Sequence, residues 1–177
     1  MNKNSVAIIT LCSSLCKNNT RPLSNEEWSQ MATALMEKKI PPCALLEYSK
    51  EDFLEKLSIN EEYAERLYSL IGRTGSLYFE LSKYEKMGIY VVTRADEAYP
   101  REIKRELGNA CPPIFYYVGD ISIFDNEHQY IDNNEQISEN SSVPYVKAVS
   151  GIMKSIKQSS VIKAVQKGRL LIISENI

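Results

Sequence analysis

The sequence predicts an α/β protein in two parts, a helical module over residues 1 to 87 and an incomplete α/β portion after it. Three observations predict this. Before Gly88, apolar residues recur three and four apart behind serine and asparagine caps, the pattern of short amphipathic helices. After it, Ile89-Tyr90-Val91-Val92-Thr93 and Ile114-Phe115-Tyr116-Tyr117-Val118 have the β-branched and aromatic composition of buried strands. A last apolar run, Leu170-Leu171-Ile172-Ile173, reads as a third strand behind a lysine-rich helical pattern.

Lys3 followed by Val6 to Leu11 imitates a secretion signal, and Cys16 a lipidated cysteine. Leu15 stands where a small residue would be needed, however, and the run is far too short to cross a bilayer. Residues 5 to 16 are therefore expected to form a helix with a wide apolar face, in a cytoplasmic protein without membrane contact. Ser24-Asn25-Glu26-Glu27 is a capping box that opens a helix carrying Trp28, Met31, Ala32, Leu35 and Met36 on one face. Pro41-Pro42 stops it. Ser49 starts a further helix with Phe53, Leu54 and Leu57, and Asn60 or Ser58 caps the next, with Tyr63, Leu67, Leu70 and Ile71 on one side. After Gly72 and Gly75 a fourth helix carries Leu77, Leu81 and Tyr84 to Gly88. The turn from Leu70 to Gly75 presents glycine backbone that suits either an anion or an ordinary helix cap.

Residues 88 to 119 read strand, turn, short helix, proline break, strand. Asp96 begins a turn, and Pro100 sits where the first turn of a helix tolerates it. Pro112-Pro113 ends that helix and forces extended backbone into the next strand. Residues 120 to 146 are acidic and asparagine-rich, with no lysine or arginine between Arg105 and Lys147, which predicts a polar linker. Residues 147 to 177 then carry Lys147, Lys154, Lys157, Lys163, Lys167 and Arg169 without an acidic residue before Glu175. Val149, Ile152, Met153, Ile156, Val161 and Val165 fit a basic amphipathic helix, and Leu170 onward a strand able to pair with the one near Ile114.

A formal net charge of −2 excludes a global nucleic-acid signature, so any basic site is local. Four irregularly spaced cysteines and the single His128 assemble no zinc pattern, and no nucleophile stands beside a base. The expectation is a protein without catalytic residues, metal or cofactor.

The order from Gly88 to Gly119 resembles the lead-in of the DNA-processing protein A (DprA) family. There a "GI..T..D..YP" stretch and a "PP..hYy.G" stretch introduce a Rossmann-like domain that binds single-stranded DNA. The residues that carry the resemblance are Gly88, Thr93, Asp96, Tyr99, Pro100, Pro112, Pro113 and Gly119. Arg21 to Trp28 is similar to the family's "kPLs..Ew" opening, and Gly168 to Ser174 to its "GRLhLhS" strand. The resemblance implies a SAM-like, helix-hairpin-helix-type module over residues 1 to 87 and a Rossmann-like portion after it. It also implies single-stranded DNA as ligand and a recombinase as partner during natural transformation. The family's glycine-rich phosphate loops have no intact counterpart here, because after Gly119 only Gly151 and Gly168 remain. The chain thus reads as a family member shortened within the Rossmann-like domain, with DNA contacts expected at Lys154, Lys157, Lys163, Lys167 and Arg169. The other readings are an interaction module using Tyr63, Tyr68, Tyr78 and Tyr84, a fragment without function, or a divergent nucleotide-binding protein. The open sheet edge invites a homo-oligomer.

Overall fold

The computed structural model describes residues 1–16, 20–119, 121, 159–164 and 170–175, the last two ranges as backbone. Helix α1 (Lys3–Cys12) is the hub. From Ser5 to Cys12 every residue is buried, as expected of a helix that is apolar nearly all round. Around it stand α2 (Asn25–Glu37), α3 (Lys50–Leu57), α4 (Glu61–Ile71) and α5 (Thr74–Lys86), with a 3-10 turn over Pro42–Glu47. Trp28, Leu35, Leu45, Phe53, Leu67, Leu70 and Leu77 close one core with Ile8, Ile9 and Leu11 of α1.

The expected caps form. Ser24 and Glu27 complete a capping box at α2, Ser49 and Asp52 another at α3, and the Asn60 side chain accepts from the Tyr63 N–H at α4. Ser58, the alternative cap, instead ends α3 in the left-handed conformation at φ 57°. The Glu27 carboxylate also receives both Arg66 Nη atoms, at 2.6 and 3.0 Å, while Arg66 donates to the Arg21 and Pro22 carbonyls. One fork therefore ties α4 to the start of α2.

This pairing holds the Glu27 carboxyl well down, to about 2, chiefly through the Arg66 hydrogen bonds. A depressed carboxyl stabilises the fold above its unfolded value of 4.5, and that stability drains away as pH falls towards 2. With 28% of the side chain exposed, solvent screening limits the contribution to about 1–2 kcal/mol. Urea midpoints measured from pH 6 down to pH 3 should fall more steeply for the wild type than for Glu27→Gln. Parallel curves would refute the account.

Beyond the helices lies a sheet of order β1-β2-β4-β3, antiparallel throughout. Its strands are β1 (Ile89–Thr93), β2 (Ile114–Gly119), β3 (Ser159–Ala164) and β4 (Leu170–Glu175), with α6 (Arg101–Leu107) between the first two. The expected partnership of the strands near Ile114 and Leu170 forms, with Tyr116 opposite Ile173 and Val118 opposite Leu171. The chain is mixed α/β as predicted, but the parallel pairing of a Rossmann-like portion is absent among the described residues.

One expectation is corrected here. Ser159 to Ala164 belongs to a strand, not to the basic helix foreseen over residues 149 to 165. Its β-branched Val161-Ile162 suits extended backbone, and β4 supplies the ladder that a helix would have formed within itself. Val161 opposes Ile173 and Lys163 opposes Ile172, so Ile162 is the extra residue of a bulge. The remainder of that foreseen helix, and the linker over residues 120–146 except Ile121, lie outside the described residues.

Candidate functional site

The segment from Gly88 to Gly119 is one bonded unit. Gly88 takes φ +76° just past α5, where its N–H donates to Glu85, and so turns the chain from helix into β1. Along β1 the residues alternate. Ile89 and Val91 face the helical core with Ile114, Tyr116 and Val118 of β2, while Val92 pairs with Phe115 on the opposite face. That second face is closed by Tyr99, whose ring lies 5.0 Å from that of Phe115.

Thr93 ends β1 and Asp96 closes the turn after it. The Asp96 carboxylate accepts from the Thr93 N–H at 2.9 Å, the Thr93 hydroxyl at 3.0 Å, the Ser5 hydroxyl at 2.6 Å and the Asn2 amide at 3.0 Å. Asn2 is itself the N-cap of α1, accepting from the Ser5 N–H at 2.8 Å. The turn and the first turn of the hub helix thus share one carboxylate, although Ser5 and Asp96 are 91 residues apart.

Tyr99 performs the corresponding task at the far end. Its hydroxyl donates to the Pro112 carbonyl at 2.6 Å and lies 2.8 Å from the Cys111 sulfur. With the tyrosine proton committed to Pro112, the Cys111 thiol is the donor in the second contact. Burial pushes both the Tyr99 hydroxyl and the Cys111 thiol up from their ordinary pKa values. Pro100 precedes α6, and the Pro113 carbonyl accepts from the Arg94 N–H at 3.1 Å, which sets the register of β1 on β2. Gly119 leaves β2 at φ +102°. Tyr99→Phe should lower the unfolding free energy by about 1–3 kcal/mol, because it removes the 2.6 Å donor to the buried Pro112 carbonyl and leaves only the long 4.0 Å contact from the Cys111 thiol. Urea unfolding monitored by circular dichroism measures it, and an unchanged midpoint would show the hydroxyl to be idle.

Of the five residues foreseen as DNA contacts, Lys154, Lys157, Lys167 and Arg169 lie outside the described residues. Lys163 stands on β3, opposite Ile172. His128 is also outside them. The four tyrosines divide: Tyr68 and Tyr78 are exposed on α4 and α5, while Tyr63 and Tyr84 are half-buried. Burial raises the Tyr63 hydroxyl to about 12, and its ring lies under the Arg66 guanidinium.

In the turn between α4 and α5, Gly72 is the ordinary C-cap of α4, its N–H donating to the Tyr68 carbonyl at 3.2 Å. Arg73 points inward and is buried, donating from Nε and Nη2 to the Thr10 carbonyl and from Nη2 to the Ser13 carbonyl at 2.6 to 2.9 Å. It therefore caps the C-terminal end of α1, where helix carbonyls lack partners and a cation is favoured. Beside it opens a cleft of about 680 Å³ lined by Leu15, Cys16, Ser69, Ser76, Glu80 and Lys83, with Lys83 paired to Glu80 at 2.7 Å. Burial raises the Cys16 thiol against the opposing pull of Arg73. Asn2, Ser5, Arg73 and Cys111 were not singled out by their sequence context, since each acts on a distant partner.

Among the described residues no group of histidine, cysteine and carboxylate side chains is placed to hold a metal, and no helix is long and apolar enough to cross a membrane. No family model, curated protein or solved structure matches the chain.

Proposed function

We propose that this chain is a DprA-like DNA-processing protein that binds single-stranded DNA in the cytoplasm and acts with a recombinase in natural transformation. In this reading residues 1 to 87 are the SAM-like module, and the sheet is the start of a Rossmann-like portion. The observation that carries it is the motif itself. Gly88, Thr93, Asp96, Tyr99, Pro100, Pro112, Pro113 and Gly119 occupy successive turning points of one hydrogen-bonded unit, so the residues of the resemblance are those on which the local architecture depends.

The ligand-binding charge comes from the segment bearing Lys154, Lys157, Lys163, Lys167 and Arg169, which has no acidic residue to oppose it. Single-stranded DNA requires such a basic track, and each phosphate neutralised contributes about 0.7 to the slope of log K against log salt. Fluorescence anisotropy with labelled oligonucleotides at low and moderate salt tests the proposal. The expected result is weak binding that prefers single strands and falls steeply with salt. Neutralising Lys154, Lys157 and Lys163 together should flatten the slope by about 2. No single-strand preference at low salt, or an unchanged slope, overturns it.

A second reading, a non-enzymatic interaction module, is favoured by one observation: Tyr68, Tyr78 and Phe79 are each about half exposed or more on α4 and α5. If alanine at these three positions abolishes binding while the lysine variants do not, the helical module is the functional part.

A further inference from the structure

We propose that the face of the sheet turned away from the helical core stacks the bases of single-stranded DNA on Tyr90 and Tyr117, with Arg94 and Lys104 receiving phosphates beyond them. The platform rests on the DNA-binding reading above and supplies the stacking surface that such a ligand requires. Tyr90 and Tyr117 stand directly opposite each other on β1 and β2, with ring centroids 5.6 Å apart and the rings tilted by 32°. That is the spacing of offset neighbours rather than of a closed sandwich. They share their face with Val92 and Phe115, which Tyr99 closes. The cover stops there. Val92 is 3% and Phe115 0% exposed, but Tyr90, two residues from Val92, is 42% exposed. Aromatic surface therefore lies open just beyond the cover.

Charge on the same face favours nucleic acid as its occupant. Arg94 continues the alternation of Tyr90 and Val92, and its N–H extends the ladder to the Pro113 carbonyl at 3.1 Å. Its charge opposes the upward shift that burial imposes on the Tyr99 hydroxyl and the Cys111 thiol, as befits a guanidinium on this side of the sheet. Lys104 reaches over from α6, its Nζ donating to the Arg94 carbonyl at 3.0 Å and lying 5.1 Å from the Tyr99 ring centroid. None of the ion pairs among the described residues involves either cation. Two like charges brought together without a carboxylate repel each other, and an anion relieves them. Arg101, exposed one turn before Lys104, adds to the same sign.

The register carries the row across the sheet. Tyr117 stands opposite Ile172 of β4, and Ile172 opposite Lys163 of β3. Directly opposite residues share a face, so Lys163, one of the five residues foreseen as DNA contacts, belongs to the row of Tyr90 and Tyr117. Along β1, four residues place Arg94 about 13 Å from Tyr90. A single strand whose bases rest on the tyrosines thus meets cations along the strand direction and a lysine position across it. Every base has a π-face to offer the rings, and every phosphate a charge for the cations. An apolar peptide would use the rings and leave the cations idle.

Two labelled probes of equal length and charge, oligothymidylate and an abasic deoxyribose-phosphate strand, separate stacking from charge. In fluorescence anisotropy on the full chain, the wild type should bind oligothymidylate about 5- to 150-fold more tightly than the abasic strand, the worth of one stacked base. Tyr90→Ala should lose most of that preference and keep the salt slope, while Tyr90→Phe should retain both. Arg94→Gln combined with Lys104→Gln should flatten the slope by about 1.4 on either probe and leave the preference in place. Circular dichroism establishes that each variant is folded. Tyr90→Thr, whose β-branched side chain suits a strand, takes the place of the alanine variant if that one is not. Equal binding of the two probes by the wild type overturns the proposal. So does a preference that survives in folded Tyr90→Ala or Tyr90→Thr, a phenylalanine variant as weak as alanine, or an unchanged slope in the double glutamine variant. If those variants behave as wild type while neutralising Lys154, Lys157 and Lys163 flattens the slope, the DNA-binding reading stands and the platform falls. If the lysine variant keeps its slope while Tyr90→Ala loses the preference, the platform stands and the basic segment is not the binding track. Binding of neither probe at low salt overturns both.

Discussion

Arg73→Met is expected to lower the unfolding free energy by about 2–5 kcal/mol, since two buried carbonyls lose a charged donor and each costs about 1–3 kcal/mol. The arginine is 6% exposed and reaches Thr10 and Ser13 from the start of α5, some 60 residues later in the chain. No basic residue stands in the last turn of α1, so the favourable cation at that end arrives from another helix. Methionine keeps an apolar stem of similar reach and removes only the donors, which separates capping from packing. Arg73→Lys keeps the charge but not the fork that serves two carbonyls, and should fall between wild type and methionine. The neighbouring cleft is wide enough to admit water to the orphaned carbonyls, which argues for the lower half of the range. For a chain of this length the change corresponds to a melting temperature lower by roughly 5–15 °C. Urea and thermal unfolding both measure it. A methionine variant within about 0.5 kcal/mol of wild type would behave like a surface change and refute the cap.

What was legible in the sequence was what residues do to near neighbours. The box at Ser24–Glu27 closes over three residues and forms as read, and the helix start read at Ser49 proves to be a second box, closed with Asp52. Pro112-Pro113 does lead into extended backbone and the strands Ile89–Thr93 and Ile114–Gly119 are present, but α6 ends earlier than the prolines, at Leu107 with Gly108 as its C-cap. Periodicity named a face but not how far its neighbour extends. Trp28, Met31 and Leu35 are buried, whereas Met36, on the same predicted stripe, is 74% exposed in the last turn of α2. Pro41-Pro42 announced a stop and said nothing of the 3-10 turn that begins at Pro42.

The rest depended on distance. Arg73 was read within a glycine turn because its carbonyl partners lie across the fold. Val149 to Val165 fitted a helical period, but its Ser159–Ala164 stretch fits an extended strand as well, and β4 decides between them. The Thr93-Asp96 spacing was visible as a turn, while the second half of its function, binding the hub helix through Ser5 and Asn2, was not.

That second half makes Asp96→Ala the other change of large expected effect. The carboxylate gathers four donors from three residues, and both Ser5 and Thr93 are fully buried. Truncation leaves two buried hydroxyls and a backbone N–H without their charged acceptor, so stability should fall by about 3–5 kcal/mol. Asp96→Asn offers only one accepting oxygen. That oxygen serves Thr93 if the Ser5 hydroxyl turns to accept from the amide, and the loss should shrink to about half. Ser5→Ala removes a donor and its need for an acceptor together, so it should cost least of the three, about 1 kcal/mol. The ranking alanine, asparagine, Ser5→Ala in urea midpoints distinguishes a shared acceptor from a merely packed turn, which would be indifferent to asparagine.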